Sequence, residues 1–407
     1  MFAPFLRLRL LLAIAPWSAV LGLGAVPQSV VVPSRADTVL AIVGDRTKVG
    51  TNELGGDRTL KELRARLRAN PRDEPTACRV AEACLARYRR DGDGRFLGFA
   101  QGAVRAWDAD TRVPAWILLW RGIVRQSLHE FGGALQDLRE VVRLEPRDSR
   151  AKLHLLAVLL VTGERDAAKQ VAVSLASHAT PLVALAAAAS VGSVAGQAES
   201  SALLLERALD QYPGAGSGER QWAQGLLAET WARLGRVEKA EAAFRRQIAS
   251  PWVGAYDLAS YADWLLDQGR AAEVLDLLSS REECEGLLLR RAIAAARAHP
   301  APAGAEDLMR RVGQGFEHAR QRGDALHLRE EARYWLVLRN DPSMALKCAR
   351  ENWKTQKEPA DARVLLESAI AARNRPTARE ITDWVAKVGL EDVALRSLAL
   401  RARALAE

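Results

Sequence analysis

Cysteine is scarce, with four in 407 residues, too few to build a fold from disulfides. Histidine is almost as rare. The six histidines, at 129, 154, 178, 299, 318 and 327, include no pair spaced three or four apart. There is no HExxH, no CxxC and no Cys/His cluster, so neither a zinc site nor haem attachment is expected, and no metal or other cofactor is called for. Only 6% of the residues are aromatic, although eleven of them are tryptophan. Lysine is sparse too, nine of the 58 basic residues. With 29 glycines and 16 prolines, collagen-like and low-complexity chains are excluded. What remains is 49% apolar and 27% charged, a globular composition long enough for two or three domains or one long repeat array.

One long apolar run exists, Leu10 to Val26, broken by Pro16 and thinned by Gly22 and Gly24. Arg7 and Arg9 precede it. A basic start, a short apolar stretch with a helix breaker at its centre, and small residues beyond it (Val20-Leu21-Gly22, Gly22-Leu23-Gly24, Ser34-Arg35-Ala36) together make residues 1–36 a cleavable export signal rather than a membrane anchor. No cysteine follows the run, which excludes lipoprotein processing, and no later stretch reaches eighteen apolar residues. A periplasmic or secreted chain with no span after signal removal is the expectation.

Losing Arg7, Arg9 and Arg35 lowers the net charge from +8 to +5. The remaining arginines interleave with Glu and Asp along nearly every helical stretch, as in 201–250. That pattern describes solvated helix faces with paired charges, and a nucleic-acid partner is not expected. Cys78 and Cys84 stand six apart on a helix, about 9 Å along its axis and on different sides, too far for a bridge. Four buried or half-buried thiols are expected.

Internal repetition decides the fold. Gly163, Gly196, Gly235 and Gly269 recur at spacings of 33, 39 and 34, and His129 holds the same place one unit earlier. A helix-period apolar stripe follows each turn: Ala134, Leu138 and Val141; Ala168, Ala172 and Leu175; Ser201, Leu205 and Ala208; Ala240 and Phe244. Pro146, Pro213 and Pro251 end three of these helices, and Pro181 lies near the fourth such place. Before each turn lies another helix with a small residue near its middle, at Gly122, Ala189, Ala228 and Ala262; in 149–162 the place is held by Leu156. Each unit is helix, tight turn, helix, proline.

The chain therefore resembles exported bacterial tetratricopeptide repeat (TPR) proteins. The segment HEFGGALQDLREVVRLEPRD within 115–148 carries the turn, Phe131, Ala134, Leu138 and Pro146 in the family order, and 221–254 matches through Leu227, Ala228, Trp231, Gly235, Ala240 and Phe244. Units 149–181, 182–213 and 255–282 are weaker but in phase. The resemblance implies an all-α fold, an α-solenoid of antiparallel helix pairs wound into a TPR-like superhelix. The organisation read from the sequence is a signal at 1–36 and an irregular segment plus capping helix at 37–75. TPR-like repeats follow at 76–390, clearest over 115–282, and a capping helix closes the chain at 391–407.

No catalytic constellation emerges, and the chain is not expected to be an enzyme. RRDGDGR has Asp91 and Asp93 in a glycine-rich turn, but Arg95 and Gly102 stand where a calcium loop needs acids. VGQGFEH lacks the third glycine of a dinucleotide fingerprint, and GAGSGER has no preceding strand. Binding is what remains. TPR proteins line their concave face mainly with the first helix of each pair. By that resemblance the groove candidates are Trp116, Leu119, Ile123, Gln126, Arg150, Leu153, Trp222, Glu229, Tyr256 and Asp263. The Lys/Asn/Arg set that clamps a C-terminal carboxylate in some TPR domains is missing at these places. The expected function is an exported scaffold holding a protein or peptide partner in the groove. The alternative is an accessory module for an envelope enzyme system that holds a small apolar ligand, lipid or glycan, in a cavity near the alanine-rich run 183–195.

Overall fold

The computed structural model describes residues 57–251, 253–280, 284–298, 304–322 and 327–404, together with 33–34 and 38–39, which pair as a two-residue antiparallel ladder. The expected signal and most of 37–56 lie outside the described residues. The described residues from 57 onward form helical hairpins. A leading helix, α1 (Asp57–Ala69), precedes the pairs α2 (Glu74–Asp91) with α3 (Arg95–Val104), α4 (Ala115–Ser127) with α5 (Phe131–Leu144), and α6 (Ser149–Thr162) with α7 (Arg165–Leu175). Next come α8 (Pro181–Gly192) with α9 (Ala198–Gln211), α10 (Ser217–Arg233) with α11 (Val237–Ile248), and α12 (Ala255–Asp267) with α13 (Ala271–Leu277). The series ends with α14 (Glu285–Arg297) and α15 (Ala305–Arg322), α16 (Leu328–Arg333) and α17 (Pro342–Trp353), α18 (Pro359–Ala371) and α19 (Arg375–Val388), and a single last helix, α20 (Val393–Ala404). Consecutive helices pack pairwise and each pair stacks on the next, the arrangement of an all-α, TPR-like solenoid.

Local chemistry sets the punctuation. The turn glycines at 163, 196, 235 and 269 all take positive φ, between 69° and 82°, where a side chain is strained. His129 occupies the same left-handed position at φ 58° without being glycine, stacking its ring on Phe131 at 5.3 Å. Asn340 and Arg373 do likewise in the later pairs. Helix starts are fixed by Asp148, whose carboxylate accepts from the backbone N–H of Arg150 and Ala151, and by prolines in the first turn at 181, 342 and 359.

Close packing of each pair depends on the small residues. A Cβ at Gly122 would lie 2.9 Å from the Leu138 Cγ, so no side chain fits between α4 and α5 there. Ala189, Ala228 and Ala262 are buried at equivalent places. Between α10, α11 and α12 the interior is aromatic. Phe244 lies 5.3 Å from Tyr261 and 5.7 Å from Trp264, ring centre to ring centre, and Trp231 is fully buried with its Nε1–H donating to Glu206 at 3.0 Å. The four cysteines form no disulfide with one another; Cys78 is half-buried and the others are buried.

Two features go beyond stacked hairpins. The superhelix closes on itself: the α2 terminus meets the start of α12, where a Cβ at Gly254 would stand 2.9 Å from the Arg89 carbonyl oxygen, and Gly92 lies against Cys284 and Ala255. The C-terminal pairs also have their own core, built from Cys348, Trp353, Leu365, Leu366, Ile381 and Leu395 among others. This block folds back across the turns of the earlier units. The Lys357 N–H donates to the Val161 carbonyl at 2.7 Å, Glu391 accepts from the Ala198 N–H, Val393 lies against Gly235, and the Gly389 backbone lies against Gly196.

Candidate functional site

The groove candidates part company in the structure. Leu119, Ile123 and Leu153 are fully buried in the packed interior, and the Gln126 Oε1 beside them accepts from His154 Nδ1 at 2.9 Å. Burial holds His154 well below the ordinary histidine range, reinforced by the nearby charges of Arg89 and Arg150. Trp222 is buried against a small void of about 40 Å³ lined by Leu153, Leu156, Leu226, Lys357 and Pro359. The chain's own 357–359 segment therefore covers this stretch of the first-helix face. Trp116 is the opposite case, 54% exposed at the start of α4, with the Arg150 guanidinium 4.7 Å from its ring centre. The alanine-rich helix α8 is tightly packed, with Ala186, Ala187 and Ala189 buried.

Glu229, Tyr256 and Asp263, the last three candidates, come together on the wall of one large cavity of about 1470 Å³. It is enclosed by α2 and α3 on one side, α10, α12 and α14 on another, and α15, α16, α18 and the start of α20 on the third. Two hydroxyls converge on Glu229: Tyr256 Oη donates at 2.6 Å and Ser260 Oγ at 2.9 Å. Asp263 receives Arg290 at 2.8 Å and Arg333 at 2.8 Å. Burial would raise the Asp263 carboxyl, but the charges of Arg290 and Arg333 hold it below the usual aspartate range. Glu330 is held well below the glutamate range by the same balance, burial opposed by Arg329 and Arg290. Arg329 continues the chain of charges to Glu358 and Asp361, and burial is strong enough at Asp361 to raise its carboxyl despite Arg329 at 3.3 Å.

Sequence reasoning missed this network. Its one legible signal is the arginine inside an apolar stripe, as in Leu287-Leu288-Leu289-Arg290, where a helix that buries its leucines must bury the guanidinium with them. The same device appears at Arg121 within WILLWRGIV. There the buried Asp137 accepts from Arg121 at 2.8 Å and from Arg125 at 2.7 Å, and the Trp107 carbonyl accepts from Arg121 at 3.0 Å. Arg89, another cavity-wall residue, differs: it is 9% exposed, yet among the described residues no carboxylate or other acceptor lies within bonding distance of its guanidinium. Among the described residues no group of three His, Cys, Asp or Glu could hold a metal ion.

A scan against protein-family models and a search of curated proteins return no match. Among solved structures the chain is similar to a tetratricopeptide repeat protein from Parabacteroides merdae, at 15% identity and TM-score 0.38, covering 62% of this chain and 98% of that one. It is also similar to the APC/C hetero-tetramer Cut9–Hcn1, at 10% identity and TM-score 0.48, covering 87% of this chain and 65% of that one. A third is a monomeric IFIT1 mutant with Gppp-AAAA, at 14% identity and TM-score 0.39, covering 86% and 76%. The class the fold defines, a helical-repeat solenoid, rests on the hairpin geometry itself.

Proposed function

We propose that this chain is an exported, non-catalytic scaffold that binds a protein or peptide partner along the open edge of its first helices. Trp116 carries the reading. An indole left 54% exposed with an arginine 4.7 Å from its ring centre presents together the two side-chain types that dominate protein contact sites. The covered stretch at Leu153 and Trp222 directs the partner to the Trp116 edge rather than to the full concave face. Export is supported by the charged start and apolar run of 1–36. Among the described residues no helix is long and apolar enough to cross a membrane.

The test is a photo-crosslinking residue placed at 116 in the full-length chain inside cells, compared with the same residue at the exposed Leu203 on α9. One dominant polypeptide captured from 116 and absent from 203 supports the scaffold. Equal products from both positions, or none from either, overturn it. The mature amino terminus, read in the same experiment, is expected between Ala25 and Asp37, and an intact Met1 overturns export.

A purely apolar ligand is a poor fit to the large cavity. Its described wall carries ten arginines against eight carboxylates, groups that an apolar occupant would desolvate without pairing.

A further inference from the structure

Arg89 stands apart from the ion-paired arginines of the cavity wall. Arg290 pairs with Asp263 and Glu330, Arg333 with Asp263, Arg329 with Glu358 and Asp361, and Arg363 with Asp267 and Glu367. Arg89 is buried as Arg290 is and lines the same space, but among the described residues it has neither an ion pair nor a side-chain hydrogen bond. The acid nearest to it in sequence that feels its charge is Glu82, two turns back on α2, which acts on it only through space and lies off the cavity wall. Burial alone lowers the Arg89 guanidinium to about 9, against the opposing pull of Glu82 and Tyr88.

The helix end does not explain the residue. A cation in the last turn of α2 interacts favourably with the helix dipole, but that effect is weak beside the loss of hydration of a buried, unpaired charge. Nor is the side chain there by slack in the backbone. The Arg89 carbonyl is pressed against Gly254 and the following turn against Cys284, so the root of the side chain is fixed where the first and later units close. The positive field is local as well as formal: Arg150 and Arg89 both act on His154, and ten arginines face eight carboxylates on the described wall. Between the charged groups the wall is apolar, with Leu97, Trp264, Leu288 and Phe316.

We propose that the cavity is a binding site for an organic anion, a carboxylate or phosphate borne on an apolar body, with Arg89 supplying the counter-charge. The ligand's anionic group pairs with Arg89, which has neither an ion pair nor a side-chain hydrogen bond among the described residues, and its apolar part lies against the leucine and aromatic walls. This site is separate from the Trp116 edge, so a chain that holds such an anion can still engage a protein partner there.

The test uses the purified chain with three probes: decanoate, decyl phosphate and decan-1-ol, with inorganic phosphate as the anion without a body. Calorimetric titration is expected to show one site for decanoate or decyl phosphate, and which of the two binds tighter tells carboxylate from phosphate. Decan-1-ol is expected to bind at least tenfold more weakly than the better anion. Arg89→Gln is expected to weaken that anion at least tenfold and, because it removes an unpaired buried charge, to leave the melting temperature of the unliganded chain unchanged or higher. Arg207→Gln, at an exposed arginine on α9 outside the cavity wall, is expected to leave binding unchanged. The proposal is overturned if the anions bind wild type and Arg89→Gln equally, if decan-1-ol binds as well as decanoate, or if no anion binds wild type. A melting temperature clearly lowered by Arg89→Gln also overturns it, since that outcome means the guanidinium already has a partner within the protein.

Discussion

The two ends of the concave face are built on opposite principles. Around Leu153, Leu156 and Trp222 it is apolar, sealed, and covered by the chain's own 357–359 segment, leaving a void of about 40 Å³. Around Glu229, Tyr256 and Asp263 it opens into about 1470 Å³ walled by charges that are mostly paired. The same repeating hairpin makes both. The difference lies in what the returning C-terminal pairs bring: Pro359 and the Lys357 stem to one end, and Arg329, Glu330 and Arg333 to the other. A repeat array thus sets a surface, and the element that folds back onto it decides whether that surface becomes core or cavity.

Leu153→Ala should have the largest effect, because it deletes a fully buried side chain at the sealed end. A loss of about 3 to 4 kcal/mol is expected in urea unfolding, with no dependence on pH between neutral and mildly acidic conditions. Asp263→Asn breaks the charged end. It leaves Arg290, whose side chain is 7% exposed, with Glu330 at 3.4 Å as its remaining ion-pair partner among the described residues beside its bond to the Gly286 carbonyl, and should cost about 3 kcal/mol at pH 7.

The two variants separate further on acidification. Asp263 and Glu330 titrate below their ordinary values in the folded chain, so the stability they contribute is complete above those values, 3.8 and 4.5, and is lost as pH falls through the lowered ones. The Asp263→Asn penalty should therefore shrink below pH 3.8 while the Leu153→Ala penalty does not, a contrast read by thermal melts across pH. Equal pH behaviour of the two would erase the distinction between the ends.

Gly254→Ala probes the closure that both ends share. Its φ of −105° is open to any residue, so the whole penalty comes from a Cβ placed 2.9 Å from the Arg89 carbonyl, and about 1 to 2 kcal/mol is expected by chemical denaturation. The smallest effect is at Trp222. Its Nε1–H has no acceptor among the described residues, so Trp222→Phe should change stability by under about 1 kcal/mol, the lost contact area being offset by removal of a buried, unpaired donor. Trp231→Phe loses a real bond to Glu206 as well as area and should cost clearly more in the same measurement.

Much of the hairpin series was legible residue by residue. The expected turns at 163, 196, 235 and 269 carry positive φ, and His129 takes the same conformation in the place assigned to it by phase. Gly122, Ala189 and Ala228 lie buried in close contact, as their small size at mid-helix suggests. Helices lie at Asp57–Ala69, inside the segment 37–75, and at Val393–Ala404, inside 391–407. The candidate site was less legible. First-helix phase does place Glu229, Tyr256 and Asp263 on one wall, but it places Leu119, Ile123 and Leu153 in the interior just as readily, because phase gives direction and not what lies opposite. Arg89 was hidden in RYRRDGDGR, where a run of arginines before a polar turn reads as a solvated helix end.

The sequence by itself determined what is local. Hairpin length, turn position, the stripe each helix buries and the small residues that let pairs close all follow from helix periodicity and backbone sterics within some forty residues. Only the tertiary structure decided the long-range pairings: residue 357 against 161, 391 against 198, and the α2 terminus against 254. Small angles between successive hairpins add up along the array, and a few degrees per pair move the C-terminal block by the width of a helix. No residue type encodes that sum. The same accumulation decides which arginine finds a carboxylate and which, like Arg89, is left facing the cavity without one.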